Sequence, residues 1–177
     1  MTFANQAVFP ITADSNDKDH LTLGGTDVLD LVAEYGSPLY VYDEKTLRGM
    51  CRTFIDEFTS RYRNTKVLYA SKAFVNPAIA RLVTEEGLGM DVVSGGEVAV
   101  AVTGGADASN LYFHGNNKTP EELDYSLDEH VGRIVIDSFH ELNLLGQKAK
   151  DRGVVQDVML RLSPSVDPHT HVMTTTG

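Results

Sequence analysis

The stretch VLYASKAFVNPAIARLVTEEGLGMDVV, residues 67–93, has the pattern of one strand–helix–strand unit. Its apolar runs at 67–70 and 90–93 each predict a short buried strand. Residues 77–86 between them are helix-like and begin with a proline, whose missing N–H costs nothing in a first helical turn. Two strands joined through a helix in this way are typical of parallel pairing.

The same alternation continues through the rest of the chain. Three further apolar runs predict strands at 111–113, 134–136 and 158–160, and helix-like segments lie at 96–103, 120–127 and 138–150. A spacing of about 20–25 residues between strands predicts either a parallel barrel or a doubly wound sheet, and periodicity does not separate the two. A complete eight-stranded barrel has about 250 residues. We therefore expect these 177 residues to be an N-terminal fragment that holds five of eight barrel strands.

The segment before this series is predicted to differ from it. Residues 1–37 read as an irregular N-terminal extension in which only 27–35 has the spacing of a helix, ended by Gly36. Residues 38–42 are predicted to form a strand whose first residue is a proline, the position in a strand where proline is tolerated. Asp43 is a natural N-cap for a long amphipathic helix whose apolar positions run up to residue 62. The predicted domain division is 1–37 and 38–177.

Composition excludes several classes of protein. The net charge is −10 and the isoelectric point is about 4.9, which argues against nucleic acid and anionic membrane surfaces as partners. No apolar run approaches the roughly 18 residues of a membrane span, and we expect no signal peptide. Cys51 is the sole cysteine, so an internal disulfide is impossible and a cytoplasmic location is expected.

Chemically capable residues follow the predicted strands, where parallel α/β folds place their active sites. The candidates are Lys72, Asp91, His114 and Arg161. A lysine at a strand end in an apolar mouth can be desolvated, which favours the nucleophilic free amine, although such a lysine commonly just reaches solvent. The alternative for Asp91 is a structural carboxylate, and the alternative for Arg161 is a surface ion pair. Lys118 is predicted to be a solvated lysine at a helix start.

Five short motifs occur in series along the chain. They are YASKA at 69–73, GMDVVSGGE at 89–97, HGNNK at 114–118, RIVIDS at 133–138 and VDPHTH at 166–171. Together they resemble the fold-type III decarboxylases, which depend on pyridoxal 5'-phosphate (PLP). The last three resemble in particular the diaminopimelate decarboxylase branch. The resemblance spans about residues 36–177.

This resemblance implies a fold and a function. The fold would be α/β, a (β/α)8 TIM-type barrel of the alanine racemase-like PLP family. Only its first five units would be present here, and the family's second, β-rich domain would be missing. Lys72 would hold PLP covalently, Asp91 would lie beside the lysine and the cofactor, Arg161 would approach the cofactor, and His114 would line the same mouth. The expected reaction is decarboxylation of meso-2,6-diaminopimelate to L-lysine and CO2, the last step of lysine biosynthesis, by a homodimeric full-length enzyme.

Alternatives to this function are open from the sequence. A sister decarboxylase of ornithine, arginine or carboxynorspermidine is one alternative, although the blocks at 114–118 and 167–171 favour the diaminopimelate branch, and a non-catalytic PLP carrier with the same barrel is another. We expect the 177 residues alone to bind PLP poorly and to lack activity.

His169 and His171 form an i, i+2 pair that could chelate a metal, but no cysteine or third histidine accompanies them, so no metal site is predicted.

Overall fold

The structure, a computed structural model, describes residues 6–164. The chain divides into two compact units, Met1–Thr65 and Lys66–Gly177. The resemblance instead places the start of the barrel domain at residue 38. Among the described residues, no helix combines the length and the apolar character needed to cross a membrane.

The first unit contains a small antiparallel sheet and two helices. The strands β1 (Asp14–Ser15), β2 (Leu21–Leu23) and β3 (Thr26–Asp27) pair in sequence order. Helix α1 is Val28–Tyr35 and helix α2 is Glu44–Arg61. The Asp27 and Asp43 carboxylates cap the two helices by accepting hydrogen bonds from the backbone N–H groups of Leu29 and Thr46.

One expectation for this unit is corrected. Residues 1–37 are not irregular apart from α1, because they also contain the β1–β3 sheet, whose strands of two or three residues are too short to show a period in the sequence. Residues 38–42 pair with no strand in the described part of the chain. The resemblance implies that this segment would join the family's second, β-rich domain, which would supply the hydrogen bonds that a strand needs, so the strand stays a prediction.

The second unit is a parallel sheet with a helix after each of its first four strands. Its strands are β4 (Leu68–Ala70), β5 (Gly89–Val92), β6 (Leu111–Phe113), β7 (Arg133–Ile136) and β8 (Val158–Leu160), and they pair in that order. Its helices are α3 (Pro77–Glu85), α4 (Gly95–Thr103), α5 (Pro120–Asp128) and α6 (Phe139–Arg152). A doubly wound sheet would reverse its strand order at a switch point. The strictly sequential order is that of a (β/α)8 barrel, of which five strands are described.

The predicted strands and helices of this unit are confirmed. Strands β6 and β8 have the predicted bounds, and the other three differ by one residue at one or both ends. The helices differ by up to two residues at their ends, which is the ordinary uncertainty where helix ends fray.

The core lies on one face of the sheet. Met90 and Val92 of β5 are fully buried, whereas Asp91 between them is partly exposed, as the alternation of side chains in a strand requires. Fully buried apolar residues from the strands and the helices complete this core: Leu111, Phe113, Ile134, Ala80, Val98, Ala101 and Leu123. On the opposite face Asp91, Tyr112 and Arg133 lie in register across three strands. These three residues give the middle of that face a polar row, next to the apolar Val135 and Met159 on β7 and β8.

Gly132, which directly precedes β7, lies close to the backbone of the turn before β6. Its backbone N–H donates a hydrogen bond to the Ala108 carbonyl at 2.9 Å. A Cβ atom at Gly132 would lie 2.0 Å from the Ser109 carbonyl oxygen. Only glycine lets the start of β7 pass the turn before β6 at this distance.

Candidate functional site

The carboxyl ends of β4–β8 meet at one edge of the parallel sheet, and Lys72 lies at the first of them. It is the central residue of a short 3-10 turn, Ser71–Ala73, that follows β4 directly and packs against β5. The Ser71 hydroxyl is buried and has no hydrogen-bond partner among the described residues. The Lys72 side chain is exposed. Lys72 therefore lies at the sheet edge with its side chain reaching solvent, as is common for a lysine after a strand, and its role toward a cofactor stays a prediction.

Asp91 lies on the neighbouring strand. It is in register with Ala70, the last residue of β4, and with Tyr112 of β6. Its side chain is 26% exposed, yet its Oδ1 atom is buried and accepts no hydrogen bond within the described chain. Native proteins seldom leave a buried carboxylate oxygen in this state, since the lost hydration is not replaced. Asp91 is therefore able to accept a hydrogen bond or a positive charge from a bound molecule.

His114 lies across the ladder from the end of β5. Its backbone N–H donates to the Val92 carbonyl at 2.8 Å, which extends the β5–β6 pairing by one residue. Its Nε2 atom is 3.7 Å from Asp91 Oδ1, and its side chain is 41% exposed. The structure thus brings together Asp91 and His114, two of the candidates from the sequence. A small side-chain movement would bring the two atoms within hydrogen-bonding distance.

Arg161 follows β8 and is held at the same edge. Its backbone N–H donates to the Ile136 carbonyl, and its Nη1 atom lies 3.1 Å from Asp137 Oδ1. The ion pair that was the alternative interpretation of Arg161 is therefore present. An open cavity of about 280 Å³ lies beside it, lined by Phe139 and Leu142 among others. A role of Arg161 toward a cofactor stays a prediction.

Lys118 corrects the sequence interpretation. It was predicted to be solvated, but its side chain is 1% exposed. Its Nζ atom donates to the carbonyl oxygens of Gly115 at 2.6 Å and Val135 at 2.8 Å, and it lies 2.7 Å from Glu141 Oε1. The lysine lies two residues before α5, and the loop folds its side chain inward rather than toward solvent.

Three glutamates at helix starts were missed by sequence reasoning. Glu97 accepts a hydrogen bond from the backbone N–H of Val93, and Glu141 accepts one from Asp137. Glu122 accepts from Thr119 at the start of its own helix and from Gly95, the first residue of α4. A signal was available, because Ser-x-x-Glu or Thr-x-x-Glu precedes each helix at 94–97, 119–122 and 138–141.

The described residues fit a cofactor that carries an aldehyde. Lys72 offers an exposed primary amine at the edge of the sheet. Asp91, on the adjacent strand, offers a carboxylate oxygen without a hydrogen-bond partner among the described residues. An amine is the group that condenses with an aldehyde, and a carboxylate stabilises a positive charge next to it. Within residues 6–164 no group of His, Cys, Asp and Glu side chains is arranged to hold a metal ion. His169, His171 and the motif at 166–171 lie outside the described residues.

Comparison with known proteins identifies the family. The sequence model described as "Pyridoxal-dependent decarboxylase, pyridoxal binding domain" matches residues 47–177. The diaminopimelate decarboxylase of Bacillus subtilis is 46% identical over 166 residues, which are 94% of this chain and 38% of that protein. The chain therefore spans little more than a third of the length of such relatives.

Solved structures agree with this assignment. The diaminopimelate decarboxylase of M. jannaschii has a TM-score of 0.81 and 33% identity, over 90% of this chain and 38% of that one. The diaminopimelate decarboxylase of Helicobacter pylori, in complex with L-lysine, has a TM-score of 0.74 and 25% identity, over 83% of this chain and 37% of that one. The resemblance drawn from the five motifs is confirmed. The chain belongs to the family of pyridoxal-dependent decarboxylases, and most of it matches their pyridoxal-binding domain.

Proposed function

We propose that the protein carrying this chain uses PLP to decarboxylate meso-2,6-diaminopimelate to L-lysine and CO2, as the last step of lysine biosynthesis. The observation that carries the proposal is the position of Lys72 at the edge of the sheet. The neighbouring strand carries Asp91, whose buried Oδ1 atom has no hydrogen-bond partner among the described residues. The relatives named above are called diaminopimelate decarboxylases. The crystal structure of the one from Helicobacter pylori is a complex with L-lysine, the product expected here.

Lys72 is proposed to hold the cofactor through its Nζ atom. When bound, PLP supplies an electron sink for the pair of electrons left on carbon as CO2 departs. The Lys72 side chain, when free and protonated, would be placed to deliver a proton to the carbon that has lost its carboxylate. The short turn that carries the lysine packs against β5, which fixes the backbone of Lys72 at the sheet edge.

Asp91, His114 and Arg161 are proposed to bind and orient the cofactor. Asp91 would stabilise positive charge near the lysine, because its buried Oδ1 atom has no hydrogen-bond partner within the described chain. His114 at 3.7 Å can donate to that carboxylate and hold it toward the site. Arg161 is a cation at the same edge, oriented by Asp137. Cations at the mouth of a site attract anionic groups such as phosphate and carboxylate.

The organisation of the whole protein is also a proposal. A homodimer is proposed from the family resemblance, with residues 38–177 forming the first part of its PLP-binding barrel. A cytoplasmic location is proposed because the only cysteine, Cys51, is a buried free thiol. The substrate would be a small amino acid, in keeping with the acidic composition, which disfavours nucleic acid.

The decisive experiment traps the cofactor on its lysine. The full-length gene product is incubated with PLP, reduced with borohydride, digested and analysed by mass spectrometry, and CO2 release is measured with meso-diaminopimelate, ornithine and arginine. We expect the label on Lys72 and turnover of meso-diaminopimelate alone. Lys72→Ala should abolish both label and activity, whereas the exposed Lys150 in the last turn of α6 can be replaced by alanine without either loss. A label on another lysine would refute the assignment, and preferential turnover of ornithine or arginine would replace the substrate. The same trapping applied to residues 1–177 alone should give little label and no turnover.

A further inference from the structure

The Lys118 ammonium is buried and paired inside the second unit. It donates hydrogen bonds to the carbonyl oxygens of Gly115 at 2.6 Å and Val135 at 2.8 Å, and it forms an ion pair with Glu141 Oε1 at 2.7 Å. The Phe113 ring lies 5.6 Å away on the apolar side. With 1% of the Lys118 side chain and 7% of the Glu141 side chain exposed, this ion pair is removed from water.

These contacts join two loops at the candidate site. Gly115 immediately follows His114 and is at φ +108°, so the lysine holds the loop after β6 at the point where it turns away. The other oxygen of the Glu141 carboxylate, Oε2, accepts a hydrogen bond from the backbone N–H of Asp137 at 3.1 Å. Asp137 in turn forms the ion pair with Arg161. One buried pair therefore connects the loop that carries His114 with the loop that orients Arg161.

Stability alone does not account for such a pair. Removing two charges from water has a large desolvation cost, and apolar residues of similar volume commonly replace a buried ion pair without loss of stability. What apolar residues do not provide is direction, because they make no hydrogen bonds to particular carbonyl and amide groups. The pair is suited to fixing the geometry of the two loops.

We propose that Lys118 and Glu141 are positioning residues for the cofactor site. They set the loops after β6 and β7 so that His114 and Arg161 face a bound anionic cofactor together. This inference rests on the proposed function and adds to it two residues that do not themselves touch the cofactor.

The test separates positioning from stability. In the full-length protein, Lys118→Met is compared with the double variant Lys118→Met/Glu141→Gln, in which no buried charge is left alone. The control is Lys148→Met, which removes the Lys148–Asp124 ion pair between α5 and α6, away from the site. For each variant we would measure the urea midpoint of unfolding, the PLP concentration that half-saturates borohydride trapping on Lys72, and kcat and KM separately.

The expected result is a divergence between stability and cofactor affinity. The double variant should recover most of the unfolding midpoint that Lys118→Met loses, while its apparent affinity for PLP stays lowered by roughly tenfold or more, as expected for a misplaced site. Lys148→Met should keep the PLP affinity of the wild type. If the double variant does not fold, Lys118→Met/Glu141→Leu takes its place under the same criterion, because it also leaves no buried charge unpaired.

Two other outcomes have distinct meanings. A double variant that binds PLP within about twofold of the wild type would overturn the positioning role, and so would an equal loss of affinity in Lys148→Met. Failure of the wild type to form any trapped Lys72 adduct would instead refute the proposed function from which this inference starts.

Discussion

Replacing Gly132 by alanine is expected to destabilise the sheet without touching the candidate site. The new Cβ atom would lie 2.0 Å from the Ser109 carbonyl oxygen and 2.6 Å from the carbon of the same carbonyl, whereas ordinary contact begins at 3.4 Å. Both neighbours are backbone atoms, so no side chain can rotate away. The strand β7 and the turn before β6 must separate by more than about 1 Å, a distance at which well-packed structure loses much of its contact energy.

The magnitude has two parts. Overpacking of a close contact costs roughly 1–3 kcal/mol. The hydrogen bond from the Gly132 N–H to the Ala108 carbonyl, 2.9 Å long, cannot survive the separation, and its loss adds roughly 0.5–1.5 kcal/mol. We therefore expect the free energy of unfolding to fall by about 2–4 kcal/mol.

The assay is urea unfolding of the full-length protein, followed by circular dichroism. Gly146→Ala is the matched control, because Gly146 is exposed within α6 and an added Cβ would meet nothing within 4 Å. That variant should gain about 0.5–1 kcal/mol from helix propensity. A Gly132→Ala protein within about 0.5 kcal/mol of the wild type would show that the close approach does not restrict this position to glycine.

Three further outcomes are expected from urea unfolding. Phe113→Ala should lower the free energy of unfolding by about 3–5 kcal/mol, because the ring is fully buried in the core; a loss below about 1 kcal/mol would contradict its place there. Thr119→Ala should lose about 1 kcal/mol, because it removes the hydroxyl that caps α5, and an unchanged stability would mean that water caps the helix equally well. The hydrogen bond with His20 holds the pKa of the Asp27 carboxyl below its usual range, so its stabilisation is present above that usual value and is lost as the pH falls through the lowered pKa. Between pH 6 and pH 3 the wild type should therefore lose more stability than Asp27→Asn, whose amide can still cap α1, and parallel pH curves would refute this assignment.

The fold of the second unit was readable from the sequence because its signals are local. Runs such as Leu111–Phe113 are apolar, and glycine, asparagine or serine occurs within the next few residues. A short local segment therefore predicts both the strand and the turn after it. Strand pairing order was not readable, since a barrel and a doubly wound sheet have the same alternation. The first unit shows the opposite case, because β1 and β3 have two residues each and carry no period.

The candidate site divides in the same way. Lys72 and His114 were found because position after a strand is a property of the local sequence, and Asp91 was found through the motif at 89–97. The burial of Lys118 was not found, because it depends on Val135 and Glu141, which are 17 and 23 residues further along the chain. The contact of Glu122 with Gly95, the first residue of α4, is missed for the same reason. Capping patterns predict a helix start, but not which neighbouring loop the same carboxylate will reach.

The direction of these glutamate contacts has a consequence for synthesis on the ribosome. Gly95 is held by Glu122 of the next helix, and Lys118 is held by Glu141 of the helix after that. The start of α4 and the loop that carries Lys118 therefore acquire these contacts only after one more strand–helix unit has left the exit tunnel. A nascent chain stalled with Glu122 still in the tunnel should leave the amide of Gly95 open to exchange, and release of α5 should close it. At these two points, the sheet edge is completed one strand–helix unit behind the growing chain.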